Sequence, residues 1–283
     1  WLGATAVFVD VDETTFNMDP TSLAVGVETA KAKGLKPVGV IAVDLFGLPA
    51  DYDAIEPICR DNGLWLLCDA AQSFGAEIGG RKVGTIGMAT STSFFPAKPL
   101  GCYGDGGAVF TEDDQLMDVL KSLRVHGQDN DDKYENVRVG MNGRLDTIQA
   151  AVLIEKLKIF ADEIEARNAV AARYAEGLGD VCVVPRVPEG STSVWAQYTI
   201  RLAKGRRAGF MADLKAKGVP TAIYYPKPLH MQTAYKHHVV AGNGLAVTER
   251  IMHEVVALPM HPYLEAATQA TIVDAARESL KAA

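Results

Sequence analysis

The chain has 283 residues, 48% hydrophobic and 22% charged, with 28 Lys plus Arg against 35 Asp plus Glu and a formal net charge of −7. That balance, without a long basic run, argues against a nucleic-acid or polybasic membrane binder, and no apolar stretch approaches the roughly 18 residues of a membrane span. The four cysteines (Cys59, Cys68, Cys102, Cys182) are scattered and form no CxxC, which argues against zinc sites and disulfide frameworks and points to a reducing cytoplasm.

The chain begins at Trp1 and runs almost at once into apolar residues 4–9, with no signal-peptide pattern. The expectation from this start is that an upstream segment is missing. Residues 7–12 read as a strand and 20–33 as a helix ending near Gly34. Residues 37–43 form a nearly continuous apolar run, which predicts a parallel strand covered on both faces. A helix over 51–61 stops at Asn62-Gly63, and 64–68 is the next buried strand. Residues 89–94 and 108–110 read as strands, 112–124 as a helix, and polar 126–142 as a long surface loop. From Leu145 one long helix is expected, with Leu145, Ile148 and Val152 on one stripe and Leu153, Leu157, Phe160 and Ile164 continuing it. Beyond about residue 168 the texture becomes α+β: strands over 193–202 and 219–224, helices near 207–217, 246–256 and 265–281. The alternation in the first half predicts an α/β fold, divided into 1–165 and a smaller α+β domain over 166–283.

Three predicted strands end on carboxylates, Asp12, Asp44 and Asp69, and ligands of open α/β sheets gather outside such ends. The richest stretch is Asp69-Ala-Ala-Gln72-Ser-Phe-Gly75, followed by Ser93-Phe-Phe-Pro-Ala-Lys98-Pro-Leu-Gly101. Asp69 alone reads equally as a helix N-cap. Lys98 alone would be a solvated surface lysine, but apolar Phe94, Phe95 and Pro96 precede it. Such surroundings favour the neutral amine that a nucleophile needs. The histidines His230, His237 and His238 have no carboxylate or cysteine at ligand spacing, so no metal is expected. Gly104 to Gly107 reads as a turn between strands beside Lys98 more readily than as a phosphate cradle.

These motifs, with His126-Gly127, Asn142-Gly-Arg144-Leu-Asp-Thr-Ile-Gln149, Tyr225-Pro-Lys-Pro-Leu-His230 and Leu258-Pro-Met-His261-Pro, run the length of the chain in one order. Together they resemble the pyridoxal-phosphate enzymes of fold type I, in particular the sugar-nucleotide aminotransferases of the DegT/StrS-type group. Within that group the chain is most similar to enzymes that aminate UDP-2-acetamido-2-deoxy-3-oxo-glucuronate. The resemblance implies a three-layer α/β/α large domain, truncated at its N-terminus, and pyridoxal 5′-phosphate as cofactor.

By the same resemblance, Lys98 would bond the cofactor aldehyde and later shuttle a proton, and Asp69 would pair with the pyridinium nitrogen. Ala71 would pack on the ring, Gln72 would bond its 3-oxygen, and Ser93 would donate to the phosphate. Asn142 would reach the cofactor of the neighbouring subunit in a homodimer, and Arg144 would grip a substrate carboxylate or phosphate. Tyr225, His230 and His261 are candidate sugar-nucleotide contacts, against plain structural roles. The implied reaction moves an amino group from L-glutamate to a UDP-linked keto sugar, in the cytoplasm, for polysaccharides such as lipopolysaccharide. Two other readings are a sugar dehydratase, whose relatives carry histidine where Lys98 stands, and a non-catalytic scaffold of the same fold. The family's Gly-Thr phosphate grip and ring-stacking aromatic precede the point where this chain begins.

Overall fold

The structure is a computed structural model and describes residues 2–129, 131–132 and 134–281. The expected strand over 7–12 is only Val7–Phe8 (β1), because it pairs in parallel with Val239–Val240 and with no strand of the central sheet. Helix α1 (Pro20–Ala32) starts where Asp19 accepts from the Thr21 N–H and Pro20 occupies the first turn. Strand β2 (Gly39–Val43), helix α2 (Tyr52–Asp61, capped by Asp51) and strand β3 (Trp65–Asp69) follow as predicted. The short antiparallel pair β4 (Glu77–Ile78) and β5 (Arg81–Lys82) precedes β6 (Ala89–Ser93) and β7 (Gly107–Phe110).

The central sheet has the order β2-β3-β6-β7, with the first three strands parallel and β7 antiparallel. Side chains of α1 (Leu23, Val27) and α2 (Tyr52, Ile55, Cys59) bury against Val40, Ala42, Leu66 and Cys68 on one face. Each large apolar side chain in that layer contributes roughly 1.5–3 kcal/mol. The prediction that β2 is covered on both faces fails: Val40 and Ala42 are buried, whereas Ile41 and Val43 on the other face are 53% and 40% exposed. Strand side chains alternate, and an unbroken apolar run cannot say which of its two faces is covered.

Helix α3 (Asp114–Arg124) is capped by Asp113 and leads into the surface loop expected over 126–142, whose described residues form turns and isolated bridges; residues 130 and 133 lie outside the described ones. The single long helix expected from Leu145 is two, α4 (Thr147–Leu157) and α5 (Phe160–Leu178). The N–H groups of Lys158 and Ile159 turn back to the carbonyls three residues earlier, Glu155 and Lys156, which tightens the chain at the joint. The break lets α5 bury Phe160 against Phe74, with ring centroids 5.9 Å apart, while Ile148 and Leu157 of α4 stay exposed.

Ser191–Thr192 (β8) joins β4, and Tyr198–Arg201 (β9) precedes helix α6 (Arg207–Ala216). Val239–Val240 is β10, followed by α7 (Ala246–Ile251), β11 (Val255–Leu258) and α8 (Ala266–Lys281). The strand expected over 193–202 is confined to β9, since Trp195 takes a left-handed φ of 50°. Residues 219–224 contribute one bridge, Ala222 to Ala257. The helix expected over 246–256 ends at Ile251, and the fully buried Val255–Leu258 pairs with β9 instead. A short apolar run does not distinguish buried helix from buried strand. A second core forms here from α5, α6, α8, β9 and β11, centred on Tyr174, Leu178, Ile200, Leu214 and Val256.

Gly47 ties the loop after β2 to the chain before β9. Its carbonyl accepts from the Val194 N–H (2.9 Å) and the Ser193 hydroxyl (3.0 Å). Its φ is +97°, and an added Cβ would lie 2.8 Å from the backbone nitrogens of Trp195 and Ala196. Gly47→Ala should therefore lower the unfolding free energy by about 1–3 kcal/mol, read from denaturant titration. An unchanged midpoint would refute this reading of the close approach.

Candidate active site

Asp69 and Ser93 sit at the last positions of the neighbouring parallel strands β3 and β6. The chain leaves Asp69 through a series of turns and not a helix, so the N-cap alternative does not hold. Its Oδ1 accepts from the Ala71 N–H at 3.0 Å, which fixes the turn and places half-buried Ala71 beside it. Among the described residues, Oδ2 of Asp69 takes no hydrogen bond. Gln72 is buried, and its Oε1 accepts from the Phe46 N–H at 2.7 Å. Because that N–H demands an acceptor, the amide is oriented with its NH2 outward, where Nε2 donates to the Tyr225 hydroxyl at 3.2 Å. Gln72 thereby presents a donor.

Lys98 lies in the turn after β6, with its N–H bonded to the Phe95 carbonyl at 2.9 Å. Its side chain is half-buried; of its chain neighbours Phe94, Pro99 and Leu100 are buried, whereas Phe95 and Pro96, expected to surround it, are exposed. Burial pushes its pKa below the ordinary lysine value, and the nearby negative charge of Asp69 pulls the other way. Burial wins. The solvated-lysine alternative is therefore not what the structure shows. Two residues of α4 brace this turn: Lys156 Nζ donates to the Gly101 carbonyl at 2.6 Å, and Gln149 Oε1 accepts from the Tyr103 N–H at 2.8 Å. Gly104 approaches the Gln149 amide closely and Gly106 accepts from the Phe94 N–H, so this glycine cluster is the strand-to-strand turn. Ser93 Oγ accepts from the Phe95 N–H at 3.3 Å, leaving its own hydrogen to donate.

The remaining candidates lie further out. Asn142 and Arg144 are exposed and bonded to each other, Arg144 Nε to Asn142 Oδ1 at 3.1 Å, on a segment bridged to the end of α3. Within the protomer neither bonds to Asp69, Gln72 or Lys98. His230 packs its ring near Phe8, with Nε2 3.1 Å from Glu249 Oε1. His261 is exposed beyond β11. Tyr225 alone of these three joins the central group, through Gln72. Among the described residues no cluster of His, Cys, Asp and Glu could hold a metal ion, and no helix is long and apolar enough to cross a membrane.

One buried group went unassigned in the sequence. Asp44, at the end of β2, is fully buried with both carboxylate oxygens hydrogen-bonded. Burial pushes its carboxyl up to about 6, against the pull of three hydrogen bonds and with the charge of Asp69 adding to the rise. The only signal in the sequence was its place as a polar residue at a strand end.

The chain is similar to known proteins in sequence and in fold. The family model for the DegT/DnrJ/EryC1/StrS aminotransferases matches residues 1–277. A UDP-2-acetamido-2-deoxy-3-oxo-D-glucuronate aminotransferase of Pseudomonas aeruginosa is 45% identical over 268 residues, 94% of this chain and 71% of that protein. The solved structure of a DegT DnrJ EryC1 StrS aminotransferase from Brucella abortus is 50% identical and superposes with a TM-score of 0.95, over 98% of this chain and 74% of that one. A Bacillus subtilis structure, NtdA with bound cofactor PMP, is 27% identical with a TM-score of 0.85, over 97% of this chain and 62% of that one. The fold is that of these fold type I enzymes, and the chain belongs to the DegT/DnrJ/EryC1/StrS aminotransferase family.

Proposed function

We propose that this chain transfers an amino group from L-glutamate to a UDP-linked 3-keto sugar, with UDP-2-acetamido-2-deoxy-3-oxo-glucuronate the best candidate, using pyridoxal 5′-phosphate. The observation that carries this reading is the grouping at the sheet's C-terminal edge. A lysine held toward its neutral form lies within electrostatic reach of a carboxylate with an open oxygen, beside an amide turned to donate. That donor set suits a pyridine ring bearing an aldehyde and a phenolic oxygen. When bound, such a cofactor supplies an electron-poor ring that takes up the electron pair released when the donor's Cα–H bond breaks.

The chain's own residues then have distinct tasks. Lys98 in its neutral form would be the residue that holds the cofactor through its aldehyde, with loss of water, and its amine, when freed by the donor's amine, would hold and move the proton from the donor's Cα. Asp69 would keep the ring nitrogen protonated through its open oxygen. Gln72 Nε2, already turned outward, would donate to the ring oxygen, and Ala71 is small enough to leave room for a ring. The Ser93 hydroxyl would donate to the phosphate. Asn142, exposed and without a bond to the central group, would serve the cofactor of the second subunit of a homodimer. Arg144 offers a planar fork to the sugar's carboxylate or the UDP phosphate. Tyr225, His230 and His261 would contact the sugar nucleotide. The reading includes a cytoplasmic location, a role in polysaccharide synthesis such as lipopolysaccharide, and a large-domain boundary near residue 165.

Cofactor-saturated protein should show a visible absorption band that glutamate bleaches, and borohydride reduction should leave the cofactor on Lys98 by mass spectrometry. Absence of the band, or a normal band in Lys98→Ala, would refute the aminotransferase reading. Turnover with a panel of UDP- and TDP-keto sugars then decides the acceptor, and preference for a TDP sugar would overturn the substrate assignment. A pH dependence follows from the burial of Lys98. In cofactor-free protein, acylation of Lys98 by a small anhydride should have its midpoint below that of solvated lysines. Asp69→Asn should move the midpoint lower still, since the carboxylate no longer favours the ammonium. An upward shift would contradict the assigned contact.

A further inference from the structure

Burying a carboxylate is costly unless its oxygens are satisfied, and an apolar residue of similar size would avoid the cost altogether. Asp44 is satisfied by donors of two different origins. Oδ1 accepts from the hydroxyl of Tyr52, the first residue of α2, at 2.6 Å and from the N–H of Ala50, in the loop just before it, at 2.8 Å. Oδ2 accepts from the Ser73 hydroxyl at 2.6 Å, and Ser73 belongs to the turn that carries Asp69, Ala71 and Gln72. Two more bonds join the same segments: the Asp44 N–H donates to the Asp69 carbonyl at 3.0 Å, and the Phe46 N–H donates to Gln72 Oε1. The titratable groups facing Asp44 are Tyr52 from α2 and Cys68 and Asp69 from β3. The carboxylate therefore lies between the start of α2 and a turn whose outward atoms are those assigned to the cofactor ring.

We propose that Asp44 is a positioning residue: by gripping Ser73 it holds the turn so that the Asp69 carboxylate and the Gln72 amide meet the cofactor ring in register. The proposal rests on the aminotransferase reading above.

Tyr52 and Ser73 make a built-in control. Each donates one hydroxyl to the same carboxylate at the same distance, and only Ser73 belongs to the turn. Ser73→Ala and Tyr52→Phe should be compared in the full chain by three measurements: thermal unfolding without cofactor, Kd for pyridoxal phosphate, and the pH midpoint of the visible band of the lysine-bound cofactor. A lost hydrogen bond to a charged group corresponds to about a tenfold change in an equilibrium constant. Ser73→Ala should raise Kd about tenfold and shift the pH midpoint. Tyr52→Phe should lower the unfolding temperature at least as much while leaving Kd within about twofold and the midpoint unmoved. Equal effects of both variants on Kd would show that general stability is being read, and no effect of Ser73→Ala would show that the grip is idle; either overturns the proposal. Wild-type protein that binds no cofactor overturns the aminotransferase reading and this proposal with it, whereas normal wild-type binding with an indifferent Ser73→Ala overturns the positioning role alone.

Discussion

The site depends on how five residues after β2, Asp44 to Leu48, satisfy their polar groups. Buried backbone and carboxylate atoms must find partners, and here the partners come from four places, one of them Asn17, whose side chain accepts from the Leu45 N–H and donates to the Leu48 carbonyl. Asp44 and the Phe46 N–H bond to the turn bearing Asp69 and Gln72, while the Gly47 carbonyl accepts from Ser193 and Val194. Tyr52 and Ala50 anchor the same segment to α2. One short loop thus fixes the edge of the central sheet, the orientation of Gln72 and the approach of the chain leading into β9. The left-handed φ of Gly47 and the absence of a Cβ there are what allow the two backbones to come so close.

Two opposed effects act on the amine at the centre of the site. Burial disfavours the ammonium, and the carboxylate of Asp69 favours it. The first prevails, so the amine stands nearer the neutral form than a solvated lysine while keeping a carboxylate close by. The turn holding Lys98 takes its rigidity from α4, through Lys156 and Gln149. That arrangement gives a reason for the break between α4 and α5: α4 braces the lysine turn, while α5 buries Phe160 beneath Phe74 of the Asp69 turn. A single straight helix would have to compromise between these two directions.

Much of this was legible before any coordinates. Turn glycines marked the ends of α1 and α2, and the polar residues at strand ends pointed to where a ligand would sit. Apolar runs were less informative. Val255–Leu258 read as part of a helix, and residues 37–43 read as covered on both faces, because apolar character reports burial without reporting which neighbour provides it. The joint at Lys158 was invisible for the same reason: Leu153, Leu157, Phe160 and Ile164 keep helical spacing across it, and only the position of Phe74 shows why the axis turns.

Local residue chemistry determined the α/β order, the position of Lys98 in an apolar turn and the pairing of Asp69 with Gln72 in one short motif. Tertiary structure alone decided which of these groups meet and in what state. Gln72 could have turned its amide either way until the Phe46 N–H, 26 positions earlier, demanded the oxygen; Tyr225 is 153 positions from its partner. Asp44 read as one more strand-end carboxylate, and its role follows only from burial and from donors contributed by two separate elements. Sequence spacing encodes the near neighbours of a residue. The field, the burial and the distant partners that set its chemistry arise when the chain closes around it.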